Sequence, residues 1–386
     1  MTIQLDPLHF APLSFDCEVK ELYTLDNETL GVLLDRTAFF PQGGGQTGDR
    51  GSLGDCIVEN VEIRPEGLLH LVKNCKESVK KLTPGTHLRA EIDREKRFSD
   101  QQQHSGEHIL SGIVHRLYGY NNVGFHLSAQ EVTVDFDGIL SEKDICKVED
   151  LVNEAIWDNR KIRVFFPSEA EKDRLCFRSK KEVDGPLRLV EIAGIDLCAC
   201  CAPHVAFTGE IGALRVIRSE KNKGGTRLWI LCGKRLLLDT RQKLEQNRLV
   251  STMLSAKQTE TAPFVQKLRE DHAALQYELV GLRRTVLQNR AAALPLQPIQ
   301  FAVAELDMET LRFYADRLAE RAEQFAFVCT GGDDKKFILM TKTGCDLQPV
   351  MQRLREHCGA RGGGRGAVMQ GSLSATEAEL RALFGF

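Results

Sequence analysis

Residues 93–119 read DREKRFSDQQQHSGEHILSGIVHRLYG, and this stretch separates two kinds of text. Ile109, Ile113 and Leu117, with Leu110 beside them, recur near the 3.6-residue period, so the segment predicts an amphipathic helix. Gly119 and the Asn121–Asn122 pair end it. Upstream, CEVKELY, TLGVLLDRTAFF, CIVENVEIR and LLHLVK are short apolar and β-branched runs parted by Gly, Asp and Asn. Pro84–Gly85 marks a turn before a last run, HLRAEID. Residues 1–92 therefore read as a small β-barrel, or a sandwich. Downstream, EVTVDFDGI and KIRVFFP predict strands, the second ended by Pro167. SEKDICKVEDLVNEAIWDN predicts a helix with Ser141 as N-cap and Asp144 three residues on. RLVEIAGIDLCACCAPHV, IGALRVIRSE and TRLWILCG complete an α+β domain over 93–232.

Residues 233–292 are Leu, Gln, Lys, Arg and Glu with little Gly. LLLDTRQKLEQNRLVSTML and FVQKLREDHAALQYELVGLRRTVLQNRAAAL predict two helices with Thr259–Pro263 between them, an antiparallel hairpin or short coiled coil. After LPLQP, residues 293–386 alternate strands with helices and finish in a Gly-rich loop and the helix ATEAELRALF, a small α/β domain. The expected fold class is α+β. At 386 residues the chain suits two or three domains, and 42% hydrophobic against 27% charged residues excludes a disordered chain. A net charge of -3 excludes a uniformly basic nucleic-acid coat but leaves room for local basic patches. The absence of a long apolar run and of a signal-like start leads us to expect no membrane segment and a cytoplasmic protein. The twelve Cys are then expected as thiols, with a cluster among them better suited to metal than to disulfides.

Two motifs carry the chemistry. In His104-Ser-Gly-Glu-His108 the imidazoles lie at i and i+4, on one face of a helix, where both can meet one ion. Cys200-Cys201-Ala202-Pro203-His204 offers a second N/S pair. A His/His/Cys/His set suits one Zn²⁺ per chain. Cys198 and Cys201 are further thiols nearby, so spacing alone does not fix the sulfur; Cys200 is the choice made here. Alone, the His pair would read as surface decoration, and four ligands together also fit a purely structural zinc. Asp35–Asp49, DRTAFFPQGGGQTGD, places Gly43, Gly44 and Gly45 where backbone can approach a ligand, with Thr37 and Gln46 able to hydrogen-bond a small polar substrate. Its plain reading is a Gly-rich turn. Arg361 and Arg365 in ARGGGRGAVMQG, and the basic turn Lys221–Arg227, suit phosphate contact or simple solvation.

Taken together and in order, these motifs resemble the alanyl-tRNA editing family, freestanding relatives of the editing half of alanyl-tRNA synthetase, over nearly the whole chain. DRTAFFPQGGGQTGDRG, QQQHSGEHILSG, DLCACCAPHVAFTGEIGALRV, SEKNKGGTRLWIL and ARGGGRGAVMQG carry the likeness, and the helical pair before the last domain suits the long form. The resemblance implies hydrolysis of tRNA(Ala) mischarged with serine, and also with glycine. It implies zinc on His104, His108, Cys200 and His204. It associates Thr37 with recognition of the serine hydroxyl and Gln46 with the active-site loop that contains Gly43–Gly45. It implies a C-terminal domain that grips tRNA through groups such as Arg361 and Arg365 and is a candidate for homodimerisation, with Arg227 near the RNA. The chain departs from the family where Cys201-Ala202-Pro203 replaces a frequent Gly-Gly-Thr, which removes a hydroxyl beside the metal and adds a thiol. The rival readings are a zinc-stabilised RNA-binding module without catalysis and an H-x-x-E-H metallopeptidase with Glu107 as base; the latter leaves Cys200 and His204 idle.

Overall fold

A computed structural model describes residues 2–5, 12–26, 29–73, 82–172, 174–179, 186–332 and 334–386. The first strands are β1 (Ile3–Gln4), β2 (Ser14–Thr24), β3 (Thr29–Leu34), β4 (Arg36–Thr37), β5 (Gly51–Leu53), β6 (Cys56–Arg64), β7 (Gly67–Lys73) and β8 (His87–Ile92). Six of them close in the order β2-β3-β7-β6-β5-β8, so the expected barrel is present and each of its strands has both neighbours. Period-two alternation explains it: Phe15, Cys17 and Val19 of β2 point inward and meet Val32, Leu34, Phe39, Val58 and Val72.

Helix α1 (Arg94–Tyr118) follows at once. Asp93 caps it by accepting from Lys96 N at 3.0 Å, and Gly119 ends it with φ +71. Every residue from Gln102 to Val114 is buried, so this helix is central rather than one-faced. The apolar stripe stops earlier than its period suggested: Val114 is core, whereas Leu117 is 37% exposed. Around α1 lie β9 (Asn122–Leu127), β10 (Val132–Phe136), α2 (Glu142–Trp157), β11 (Ile162–Phe165), α3 (Glu169–Lys172), β12 (Leu189–Ile192), β13 (Asp196–Ala199), β14 (Leu214–Asn222) and β15 (Gly225–Cys232). They form the antiparallel sheets β14-β15-β10-β9 and β11-β12-β13. Ser141 and Asp144 form the expected reciprocal cap on α2.

Three glutamines fasten the start of α1. Gln103 exchanges hydrogen bonds with Cys232 (2.9 and 2.8 Å), Gln102 donates to Glu210 O at 2.8 Å, and Gln101 donates to His204 O at 2.9 Å. Arg97 donates to the buried Asp49 carboxylate and to Ala38 O, which ties the helix to the Gly-rich stretch after β4. Removing one partner of such a buried pair costs about 3–5 kcal/mol.

The chain divides into two compact units, Met1–Gln246 and Asn247–Phe386. Helix α4 (Gly233–Leu254) spans that division and α5 (Thr261–Ala292) follows it. Pro263, expected in the connection, sits in the first turn of α5, where its missing N–H has no intrahelical acceptor to lose. Among described residues α4 buries none and α5 buries only Leu287 and Ala291, so the apolar stripes expected to close a hairpin lie at the surface. The second unit continues with β16 (Gln297–Val303), α6 (Met308–Ala319), β17 (Ala322–Cys329), β18 (Lys335–Met340), α7 (Gln348–Cys358), β19 (Arg361–Arg365), β20 (Val368–Leu373) and α8 (Glu377–Phe384). Its sheet runs β16-β17-β18-β20-β19. The expected Gly-rich loop is instead the edge strand β19 of a hairpin. A Cβ on Gly364 would stand 2.1 Å from Val368 O, so glycine is what allows this close pairing. No helix among the described residues is long and apolar enough to cross a membrane.

Candidate metal centre

Helical spacing sets His104 and His108 on one face of α1, with ring centroids 5.3 Å apart. The second pair arrives from β13. Alternation along that strand puts Asp196, Cys198 and, one step past its end, Cys200 on a common side, while Cys201 is exposed. The backbone after β13 is held by Arg178 and Arg188: Ala199 N donates to Arg178 O and Cys200 N to Arg188 O. The loop then brings the His204 ring to 4.9 Å from His104 and 4.6 Å from His108. Cys200 Sγ is 3.5 Å from His104 Nε2 and 3.5 Å from His204 Nε2. One ligand atom from each of the four residues lies within 4.8 Å of all the others. A zinc tetrahedron with Zn–N near 2.0–2.1 Å and Zn–S near 2.3 Å has N···S edges of about 3.5 Å. The three-nitrogen, one-sulfur set thus fits a zinc ion in both chemistry and dimension.

The outward nitrogens of the rings are also occupied. His104 Nδ1 lies 2.8 Å from Gln46 Oε1, His108 Nδ1 3.0 Å from Asp196 Oδ2, and His204 Nδ1 3.1 Å from Ser105 Oγ. With Nδ1–H donating to these oxygens, each Nε2 keeps its lone pair for the centre. Asp196 is itself gripped by Arg178 through two bonds of 2.7 and 2.9 Å. Burial opposes ionisation of Cys200, yet the imidazoles of His104, His108 and His204 around the sulfur override it and favour the thiolate, well below the ordinary thiol range. Burial, with Asp196 adding to it, pushes the neighbouring Cys198 up to about 11 despite the opposing pull of His108. That contrast distinguishes the two sulfurs: Cys200 is the one poised as thiolate. Burial disfavours the charged form of His108 too, but the Asp196 and Cys200 hydrogen bonds raise it well above 6.5; a cation among these anions would compete for the same attraction. Burial drives His204 down to about 3, leaving it the neutral imidazole a metal requires.

The Gly-rich turn reaches this cluster from the barrel side. Gly43 and Gln46 pair across a two-residue turn, with Gly44 and Gly45 at φ +61 and +86. Leu127 N donates to Gly45 O at 2.7 Å, and a Cβ on Gly45 would stand 2.1 Å from Phe125 O. Only glycine permits that approach, and it delivers the side chain of Gln46 to His104. Gln46 is 2% exposed; its Oε1 serves His104, and its Nε2 is buried with no hydrogen-bond partner among the described residues. A buried donor left unpaired costs about 1–3 kcal/mol, so a bound molecule with an acceptor has a reason to sit there. The Phe125 ring, 4.9 Å from that of His104, adds an apolar wall.

The other expected residues are placed differently. Thr37 lies in the barrel wall, 0% exposed, with its Oγ1 2.7 Å from His70 Nε2 and accepting from Phe39 N at 3.1 Å. His70 Nδ1 faces Val32 O at 3.1 Å, so it carries the proton and Thr37 donates to Nε2. Arg227 on β15 is engaged by Asp135 through two bonds of 2.6 and 2.7 Å, which leaves it less free for phosphate than its basic turn suggested. Arg361 and Arg365 are exposed on β19. Glu107 accepts from Ser111 Oγ at 2.5 Å and from Asn122, so its carboxylate is committed toward β9, an arrangement unlike a peptidase base. Asp196, Arg178, Ser105 and Gln101 were not singled out from the sequence. Of these only Asp196 carries a readable signal, the strand alternation with Cys198 and Cys200.

A family model described as the threonyl and alanyl tRNA synthetase second additional domain matches residues 187–228, the segment that contains Cys200 and His204. Alanyl-tRNA editing protein Aarsd1 of Mus musculus is 26% identical over 366 residues, covering 91% of this chain and 87% of its own. Over nine-tenths of its length the chain is similar to alanyl-tRNA editing proteins. Alanyl-tRNA editing protein AlaX-L of Pyrococcus horikoshii is 23% identical over 378 residues, 92% of this chain and 91% of that one. The crystal structure of the C-Ala domain from Aquifex aeolicus alanyl-tRNA synthetase, 24% identical, covers 22% of this chain and 86% of its own with a TM-score of 0.19, too low to bear on the fold. The likeness to these editing proteins thus runs through both compact units and spans the segments that hold the His/Cys cluster.

Proposed function

We propose that this chain is an aminoacyl-tRNA deacylase that acts in trans on mischarged tRNA(Ala), chiefly seryl-tRNA(Ala) and also glycyl-tRNA(Ala), in the cytoplasm. One Zn²⁺ held by His104, His108, Cys200 and His204 is its cofactor. The observation that carries this reading is the junction of that ligand set with the unpaired Nε2 of Gln46. A bound zinc ion would supply positive charge at the substrate end of the site. The rest falls to the chain. Gln46 Nε2 donates to an oxygen of the aminoacyl group, and the turn Gly43–Gly45 lets the substrate backbone come close. An aminoacyl ester is already activated, so positioning and a few hydrogen bonds suffice. Thr37 is assigned to recognition of the serine hydroxyl by the resemblance alone, its own hydroxyl being held in the barrel wall by His70 and Phe39 N. A site that pairs with a hydroxyl discriminates against alanine, which leaves the pairing groups unsatisfied. Arg361 and Arg365 contribute phosphate contacts.

The second reading, a zinc-stabilised RNA-binding module, is favoured by the count of four protein ligands, which closes a tetrahedral shell. Deacylation of seryl-, glycyl- and alanyl-tRNA(Ala) by the wild-type chain, His108→Ala and Cys200→Ala decides between them. The proposal expects release of serine and sparing of alanine by the wild-type chain, with loss of activity in both variants. Tight tRNA binding with no ester hydrolysis overturns it in favour of the module.

A further inference from the structure

The outer face of the sheet β14-β15-β10-β9 holds a row of side chains that the proposed chemistry does not use. Alternation sends Leu127, Val132, Val134, Leu228 and Ile230 inward to the core they share with α1 and α2, and turns the residues between them outward. The strand register lines up four of these: His126 on β9, Thr133 on β10, Trp229 on β15 and Arg218 on β14. A bulge between Val216 and Arg218 sets Arg218, rather than Ile217, opposite Trp229. His126 and Arg218 are exposed and Trp229 is half-buried. The indole is fixed in place. Its Nε1 donates to Glu131 Oε2 at 3.0 Å, and the Arg218 and Arg227 guanidiniums lie 4.3 and 5.9 Å from its ring centroid. The charge around the row is positive on balance. Glu220 and Asp135 are paired with Arg218 and Arg227, whereas Lys221 at the end of β14 and Lys223 in the following turn are exposed and form no salt bridge among the described residues.

Planar groups on an open antiparallel sheet, with cations beside them, make a seat for unpaired bases: every base presents a π-face, and its phosphates meet the cations. Strand β9 links this row to the His/Cys cluster. Phe125 points inward, its ring 4.9 Å from that of His104, and the next residue, His126, points outward into the row. β9 is the edge of its sheet, so a single strand separates the two faces there. The Gly-rich turn covers this edge at Leu127, and the edge is open at Val123, which is 65% exposed. Trp229 stands two strand spacings, about 10 Å, from His126. We propose that this row binds the unpaired 3′ end of the tRNA, with a base that precedes the terminal nucleotide stacked on Trp229 and the backbone phosphates near Lys221 and Lys223. This rests on the deacylase reading, because a terminal ester at the His/Cys cluster is what brings the preceding nucleotides to β9.

The chain has two tryptophans, so in the full chain carrying Trp157→Phe, at a position 69% exposed, the emission reports on Trp229 alone. Titration with uncharged tRNA(Ala) is expected to quench it, and tRNA(Ala) stripped of its unpaired 3′-terminal nucleotides to leave it unchanged. Trp229→Ala is expected to weaken the affinity for uncharged tRNA(Ala) about tenfold, at unchanged melting temperature and zinc content, and Trp229→Phe to restore most of it. Equal quenching by the stripped tRNA overturns the inference, since another part of the RNA then occupies the sheet. So does tRNA that binds without quenching or does not bind at all, and so does wild-type affinity in Trp229→Ala. Should Trp229→Ala fail to fold, the two quenching titrations decide. None of these readouts needs ester hydrolysis. A chain that releases serine but shows no quenching keeps the proposed activity and loses this site; one that shows quenching by intact tRNA only, yet leaves the ester whole, loses the activity and keeps the seat for the 3′ end.

Discussion

At the scale of single residues, what surrounds His104, His108, Cys200 and His204 matters as much as those four residues. Asp196 orients His108 through a 3.0 Å contact and is fixed by Arg178. Asp196→Asn keeps the shape but removes the charge, and zinc affinity is expected to fall about 10–100-fold in a competition titration with a chelating dye. Unchanged affinity would show that Asp196 serves only the loop. His70 gives a second prediction, remote from the metal. Burial lowers its pKa from 6.5 to about 4. The unfolded chain takes up a proton below about pH 6.5 and the folded chain only below about pH 4, so the unfolded state binds more protons in that window. Stability should therefore fall as pH drops from 6.5 to 4, by up to about 3 kcal/mol from this group. His70→Gln should flatten that part of the denaturation profile; the same slope in the variant assigns the effect elsewhere. The sequence offered no sign of this pairing, because a histidine in the run LLHLVK looks the same whether it faces solvent or Thr37.

At the scale of elements, α1 organises the site through what it lacks as well as what it carries. Glycine inside a helix costs about 1 kcal/mol relative to alanine, but a Cβ on Gly106 would stand 2.5 Å from Cys232 Sγ. At Gly112 a Cβ would stand 2.6 Å from Ile195 O, the backbone just before β13. Gly112→Ala must push β13 away from α1 and carry Cys200 with it. The expectation is a loss of about 1–3 kcal/mol of stability together with weaker zinc binding, read by calorimetry and metal analysis on the same sample. Loss of stability with full zinc affinity would uncouple the two. The helix, its caps and the i,i+4 histidines were legible because they depend on spacing within one segment. The barrel strands were legible from alternation. Harder to read was anything set by distant contacts: that the stripe ends at Val114, that β19 is a strand because its glycines admit a close partner, and that Gln101, Gln102 and Gln103 are anchors. The choice of Cys200 over Cys201 was available in principle, from the side of β13 shared with Asp196.

At the scale of the whole molecule, a chain of net charge -3 must hold an RNA by local groups. Arg361 and Arg365, on one face of β19 and exposed, are such groups. Replacing either with Ala is expected to weaken tRNA binding and lower the slope of log affinity against log salt by about one, with zinc content unchanged. Equal slopes would remove β19 from the RNA contact. Arg227 is a useful contrast, since its carboxylate partner Asp135 already satisfies it. A smaller salt effect is expected there, and the sequence alone could not foresee it because the two residues meet across strands 92 positions apart.

The editing activity proposed here stands on a single ion held by three imidazoles and one thiolate. X-ray absorption at the zinc edge, on the full chain purified with zinc, reads that arrangement directly. The expected result is one zinc per chain with three nitrogen neighbours near 2.0–2.1 Å and one sulfur near 2.3 Å, the sulfur lost in Cys200→Ala. A chain that binds no zinc, or a shell in which that sulfur persists after Cys200 is replaced, would contradict it.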